Sequence, residues 1–281
     1  MLRAYVSSGG GARIGATFGA VLEGERHRKF KAGSFDACLG TSAGALDAAL
    51  TANGWDGRMK ISLFLDTDFG AMVKPALLPF GLRKAFSVVK PMQLERLAEF
   101  IDELGLKPVE GLLINTVDAE TNTHIVYCET KPKWWPADAK ATLVEGAFTQ
   151  LGFGTVITRS MALPGLVADD PRYMDGGIAE NPLLSVLPSD AQILMVHLGY
   201  AGLLKDGGDT VPKGLLNRAM YAYERKAYEL VEHLMSHYSK LRAIFPKVYD
   251  VDSTAFNLSY SAKLDMVNTA RLNTKPQWEA L

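Results

Sequence analysis

Short apolar runs alternate along the first part of the chain with segments of helical periodicity. Leu2 to Val6 reads as a buried strand, Ser7 to Gly11 as a turn, and Ala16 to Leu22 as a helix ended near Gly24. Phe35 to Leu39 reads as the next strand. Gly40 to Ser42 forms a tight corner, and Ala43 to Ala52 carries Leu46, Ala49 and Leu50 at helical spacing before Asn53-Gly54 stops it. Two strand-turn-helix units in succession predict parallel pairing through right-handed crossovers. Further along, Leu94 to Leu104 is helical in pattern, Leu112 to Asp118 and Thr123 to Cys128 form a hairpin around Ala119 to Asn122, and Gln192 to Leu198 is another buried strand. From Lys213 to Phe245 a long amphipathic stretch sets Leu216, Met220, Tyr223, Ala227, Leu230 and Leu234 on one face. Asp206-Gly207-Gly208-Asp209 reads as a surface loop. With no internal repeat, low-complexity segment or Ser/Gly linker, the pattern predicts one α/β/α domain over 1–281, with a mostly parallel central sheet and a long helical carboxy-terminal part at about 213–281.

Composition narrows the classes open to it. A chain of 281 residues, 48% hydrophobic, can bury a sizeable core. Thirty basic against 31 acidic residues leave a net charge of −1, which gives no argument for a nucleic-acid partner. Cys38 and Cys128 read as buried reduced thiols, which suits a reducing compartment and a cytoplasmic location. Met1 to Val6 runs straight into the glycine turn, with no room for a basic leader and an apolar stretch, and no apolar window reaches the roughly 18 residues of a bilayer span.

Candidate chemistry centres on Gly40-Thr41-Ser42-Ala43-Gly44. A Gly-x-Ser-x-Gly pentapeptide alone arises by chance on the order of 0.1 times in a chain of this length. Here an apolar strand precedes Ser42 and a helical pattern follows it. That is the sharp corner a nucleophilic serine needs, with Gly40 and Gly44 removing side chains that would clash. The corner also puts Ser42 at a helix amino terminus, whose unpaired N–H groups favour developing negative charge. The plainer alternative is a serine that merely caps the helix. Gly9-Gly10-Gly11 is a second source of N–H donors, for an oxyanion hole.

A serine hydroxyl needs a base. Of five histidines, His27 lies in a basic run, His124 in the hairpin, and His233 and His237 one turn apart on the late amphipathic stretch without a third ligand. His197 is the best-placed histidine for a triad, at a strand end and last in the order Ser, Asp, His; a core histidine is its other reading. Asp175, beside Gly176-Gly177, can serve as base without histidine, or be an ordinary turn residue.

Taken together, four segments resemble the patatin-like phospholipases over about residues 1–185. Ser8-Gly9-Gly10-Gly11-Ala12-Arg13 is similar to the family's glycine-rich oxyanion loop and its basic residue, and Gly40 to Gly44 to its nucleophile motif. Ser160-Met161-Ala162-Leu163-Pro164 resembles the segment before the second catalytic residue, and Asp175-Gly176-Gly177 with Asn181-Pro182 the base motif. Phe256-Asn257-Leu258-Ser259 with Lys263 is similar to a weaker carboxy-terminal feature. Family members usually carry glycine directly after the basic residue; this chain has Ile14, a bulky residue beside the catalytic turn. The resemblance implies a three-layer α/β/α fold and a lipid acyl hydrolase without cofactor or metal, in which a Ser42–Asp175 dyad works beneath the amides of Gly9, Gly10 and Gly11. It leaves open acyl transfer by the same nucleophile and a lipid-binding protein without turnover. Arg13 is read either as a substrate phosphate contact or as a surface ion pair.

From Phe69 through Leu94 there is no acidic residue, while Lys74, Arg83, Lys84 and Lys90 are interspersed with apolar side chains. Such a stretch can make peripheral contact with an anionic membrane or close over an acyl channel, and packing of short helices on the sheet explains it equally well. A nucleotide-binding reading of Gly9-x-Gly11-x-x-x-Gly15 lacks the glycine that the dinucleotide fingerprint needs where this chain has Ile14, and no Gly-Lys-Ser/Thr occurs for a phosphate loop.

Overall fold

The computed structural model describes residues 1–75, 92–163, 170–198, 233–234, 236–248, 251 and 255–281. In chain order the strands are β1 (Arg3–Ser7), β2 (Ala37–Thr41), β3 (Lys74–Pro75), β4 (Met92–Gln93), β5 (Leu112–Asp118), β6 (Thr123–Tyr127), β7 (Thr142–Val144), β8 (Tyr173–Asp175), β9 (Gln192–Val196) and β10 (Leu241–Ile244). The helices are α1 (Ile14–Arg26), α2 (Ala43–Ala52), α3 (Gly57–Asp66), α4 (Phe69–Met72), α5 (Glu95–Glu103), α6 (Ala147–Leu151), α7 (Phe153–Ser160) and α8 (Tyr260–Glu279). The central sheet runs β10-β9-β1-β2-β5-β6-β7, with β8 added on β5. Its ladders are parallel from β10 through β5 and between β6 and β7, and antiparallel where β5 meets β6 and β8. The sheet is thus mixed and mostly parallel, with flanking helices.

Period-two alternation sorts the strand residues onto two cores. Tyr5, Cys38, Leu112 and Ile114 face the core built with α1, α2 and α8, whereas Ala4, Val6, Leu39 and Leu113 face a second core with Leu183, Leu184 and Tyr238. Both cysteines are buried free thiols. Among the described residues no helix is long and apolar enough to cross a membrane.

Most predicted elements stand where the pattern put them, with shifted ends. α1 runs two residues past Gly24, and β2 runs to Thr41, directly against Ser42. One reading is corrected. The amphipathic stretch of 213–245 does not end as helix: Leu241–Ile244 is strand β10, an edge strand parallel to β9. Leu241 and Ile244 are buried while Arg242 and Ala243 between them are not, a spacing of three that the helical count could not separate from one apolar face. The earlier part of that stretch, 213–232, the Asp206 to Asp209 cluster, and 76–91 of the basic-apolar segment lie outside the described residues.

A buried ion pair locks α2 to its neighbours. Asp47, on α2, and Lys60, on α3, are both fully buried, 2.7 Å apart, and the ammonium also donates to Thr51 Oγ1 at 2.5 Å. The Tyr5 hydroxyl, from β1, donates to the other carboxylate oxygen. Burial, and then the Asp47 charge, push the Tyr5 pKa up, so it keeps the proton it donates. Three rings, of Tyr5, Phe18 and Phe30, stand 5.7–5.9 Å from the ammonium. Removing one member leaves the other charge without compensation. Lys60→Met is expected to cost ~3–5 kcal/mol in urea unfolding, and Lys60→Met with Asp47→Leu to recover most of it; equal losses in both would place the cost in packing.

Candidate active site

Two strands meet head to head on one edge of β5. β2 runs parallel along it until Thr41 pairs with Asn115. β8 comes from the other direction, antiparallel, and ends with Asp175 opposite Thr116, the slot Ser42 would have taken next. The edge cannot hold both. Ser42 leaves it at φ 55 and ψ −130, a backbone strained for a residue with a side chain, and the chain turns at once into α2. After Asp175 the chain turns into a short 3-10 helix at Gly176–Ile178, and the carboxylate accepts the Gly177 amide at 2.8 Å. Thr41 and Asp175 therefore occupy adjoining positions on that edge, one residue's rise of ~3.3 Å apart along β5, and Ser42 follows Thr41 directly. Their exposures are 8% and 1%, so water has little access to either.

The last residue of α7 and the segment just after it hold both. The Ser160 hydroxyl accepts the Ser42 amide at 2.8 Å, and the Ala162 carbonyl accepts the Asp175 amide at 2.8 Å. Thr116, between them, donates to the Arg159 and Met174 carbonyls. The Ser42 side chain makes no capping bond to α2, so the hydroxyl is not used as an N-cap. The helix nevertheless brings its partly positive amino terminus to this corner.

The glycine turn closes over the serine. A Cβ on Gly9 would lie 2.8 Å from Ser42 Cβ and 3.4 Å from its Oγ, so only glycine lets this backbone approach so closely. Gly40 and Gly44 work likewise: a Cβ on Gly44 would run into the Ser7 and Ser8 carbonyls, and one on Gly40 into α2. The three loop glycines differ in their bonding. The Gly9 amide donates to Asn181 Oδ1 at 2.8 Å, whereas among the described residues no acceptor takes the amide of Gly10 or Gly11. Arg13 is buried, with Nε donating to the Gly10 carbonyl at 3.3 Å, so it braces the loop it follows. Ile14 opens α1 and lines an apolar cavity that reaches Ser42 and also touches Leu46, Phe64 and Met161.

None of the histidines is hydrogen-bonded to Ser42 or Asp175 among the described residues. His27 pairs with Glu23 at 3.3 Å. His124 packs near Asn115, and burial lowers its pKa to about 4. His233 and His237 are exposed, their rings 4.8 Å apart. His197 is 1% exposed, stands edge-on to Phe245, and has no partner for either ring nitrogen among the described residues. Burial, and then the Arg13 charge, lower its pKa to about 3, so it stays neutral.

Sequence reasoning did not single out Ser160 or Asn181 as supports. Both belong to segments that carried the resemblance, but the bonds they make span 118 and 172 residues, beyond any local pattern.

The family profile described as patatin-like phospholipase matches residues 5–187. A search of the curated proteins gives no match. Among solved structures, VipD from Legionella pneumophila is similar at a TM-score of 0.49 and 14% identity, over 99% of this chain and 67% of that one. The type III effector protein ExoU is similar at 0.48 and 13% identity, over 100% of this chain and 53% of that one, so this chain spans about half of its length.

Two predictions follow from this geometry. Ser160→Ala strips the buried Ser42 amide of its acceptor and is expected to cost ~1–3 kcal/mol in urea unfolding, with Ser160→Thr retaining most of the stability. For His197, the unfolded chain binds a proton near pH 6.5 and the folded chain only near 3, so the folded state loses stability as pH falls from 6.5 toward 3. His197→Leu is expected to flatten that slope in unfolding curves between about pH 7 and 4, and a slope equal to the parent's would assign the acid sensitivity to other groups.

Proposed function

The chain belongs to the patatin-like phospholipase family, and from that premise we propose that it is a lipid acyl hydrolase in which Ser42 is the nucleophile and Asp175 its base. The observation that supports this reading is the meeting of β2 and β8 on β5, where Asp175 stands next to Thr41, the residue before Ser42, with the glycine turn close against the serine. In the first half-reaction the Ser42 oxygen bonds to the acyl carbon while Asp175 takes its proton. The carbonyl oxygen gains the negative charge. Collapse of that adduct breaks the ester bond, and Asp175 returns the proton to the departing alcohol. Water then adds to the acyl-serine by the same route, releases the fatty acid and restores the hydroxyl.

A carboxylate is a weak base for an alcohol, so stabilisation of the oxyanion must carry much of the rate. The amides of Gly10 and Gly11 and the amino terminus of α2 are the donors proposed for it, each well-aimed donor being typically worth ~3 kcal/mol. Gly9 contributes by close approach, its own amide being given to Asn181. Ser160 and Ala162 are positioning residues that hold the two reacting groups through backbone bonds. The apolar cavity at Ser42 takes the acyl chain.

Labelling with a fluorophosphonate probe tests the reading. The parent is expected to be labelled at Ser42, Ser42→Ala to be unlabelled, and Asp175→Asn to lose labelling and at least ~10³-fold in kcat/KM on a fatty acyl ester. Full activity in Ser42→Ala would overturn it.

A further inference from the structure

Among the described residues that line the cavity at Ser42, Lys263 is the one charged side chain. Lys263, in the first turn of α8, lines it together with Phe64, Phe69 and Leu258. The lysine is only 5% exposed. Its ammonium does not serve the cavity: it donates to the carbonyl of Thr67 at 2.5 Å and points toward that of Leu65 at 3.5 Å, both at the end of α3. Leu65 and Thr67 line a second, more polar cleft together with Asp66, Asp68 and Ser259, and Lys263 and Leu258 line both spaces. The two side chains are therefore a shared wall. On one side lies the apolar pocket, on the other a cleft that also holds Asp66 and Asp68. The Lys263 nitrogen lies 5.5 and 5.9 Å from the ring centroids of Phe64 and Phe69, which line the apolar pocket, so the side chain reaches the α3 carbonyls along that pocket's aromatic wall.

We propose that Lys263 forms the end wall of the acyl pocket and thereby sets the longest fatty acyl chain the enzyme accepts. This rests on the lipid acyl hydrolase reading and adds a specificity residue to it. A straight chain attached at Ser42 runs through apolar surroundings until it meets the lysine stem. Beyond that stem lies hydrated polar surface, where further methylenes gain nothing from burial. The ammonium, held by two carbonyls, fixes the stem so that the wall does not yield to a longer chain. A methionine of similar volume would keep the wall without the charge; an alanine would open it into the cleft.

The test uses the full chain and 4-nitrophenyl esters of straight acyl chains from acetate to palmitate. Lys263→Ala is expected to move the kcat/KM optimum to chains longer by about three to four carbons, the length of the three methylenes and the nitrogen removed. Each newly buried methylene should gain about fourfold, the equivalent of ~0.8 kcal/mol. Lys263→Met should keep the parent optimum. An unchanged optimum in folded Lys263→Ala overturns the proposal, and so does a Lys263→Met shift equal to that of Lys263→Ala. If Lys263→Ala does not fold, Leu258→Ala thins the same wall, and a folded Leu258→Ala with the parent profile also overturns it. A parent that hydrolyses none of the esters speaks against the hydrolase reading instead. The wall is then tested by displacement of a fluorescent fatty acid from the Ser42→Ala protein: longer acids should bind tighter once Lys263→Ala is added, and an unchanged length profile overturns the wall.

Discussion

The edge of β5 is occupied twice, and that constraint shapes the rest of the site. β2 enters along it in parallel as far as Asn115, and β8 returns antiparallel from Asp118 to Thr116. Neither strand can continue. One chain is forced into the strained corner of Ser42 and the other into the tight turn after Asp175. Ser42 and Asp175 thus stand where hydrogen-bonded pairing runs out and the backbone must leave the sheet. Strain at Ser42 persists because β2, α2, Ser160 and the glycine turn fix its surroundings on every side.

Rigidity beneath this corner comes from charge buried in an aromatic cage. Asp47 lies one turn into the helix that Ser42 opens, and its pairing with Lys60 and Tyr5 ties α2 to α3 and β1. Such a pair adds little net stability, since desolvation offsets much of the attraction. Its effect is on register: rotating or sliding α2 would separate charges that have no access to water. The apolar cavity at Ser42 lies on the same side of the sheet, so the pocket and the strained corner beside it are framed by one set of helices.

How much of this could be read from the chain follows the range of the interactions. β1, β2, α2, α5 and the β5–β6 hairpin are marked by local apolar patterns and turn residues, and they stand where those patterns put them. Gly40, Ser42 and Gly44 were legible because their spacing is itself the requirement of a tight corner. β8 was legible only as a motif: three residues, two of them half-buried, make no strand pattern. That Ser160 would accept the Ser42 amide, that the Gly9 amide would go to Asn181, and that Lys263 would reach the end of α3 depend on contacts 118, 172 and 196 residues apart. Periodicity misled at Leu241–Ile244, where a short edge strand shares its apolar spacing with a helix face.

The junction on β5 also orders events during synthesis. The serine corner and its helix are complete once the first 52 residues have emerged, but the carboxylate beside it arrives only with residue 175, and the asparagine that holds the glycine turn only with residue 181. A nascent chain therefore completes the strained corner long before Asp175 joins β5, and at that moment the parallel strands β9 and β10 are still to be made.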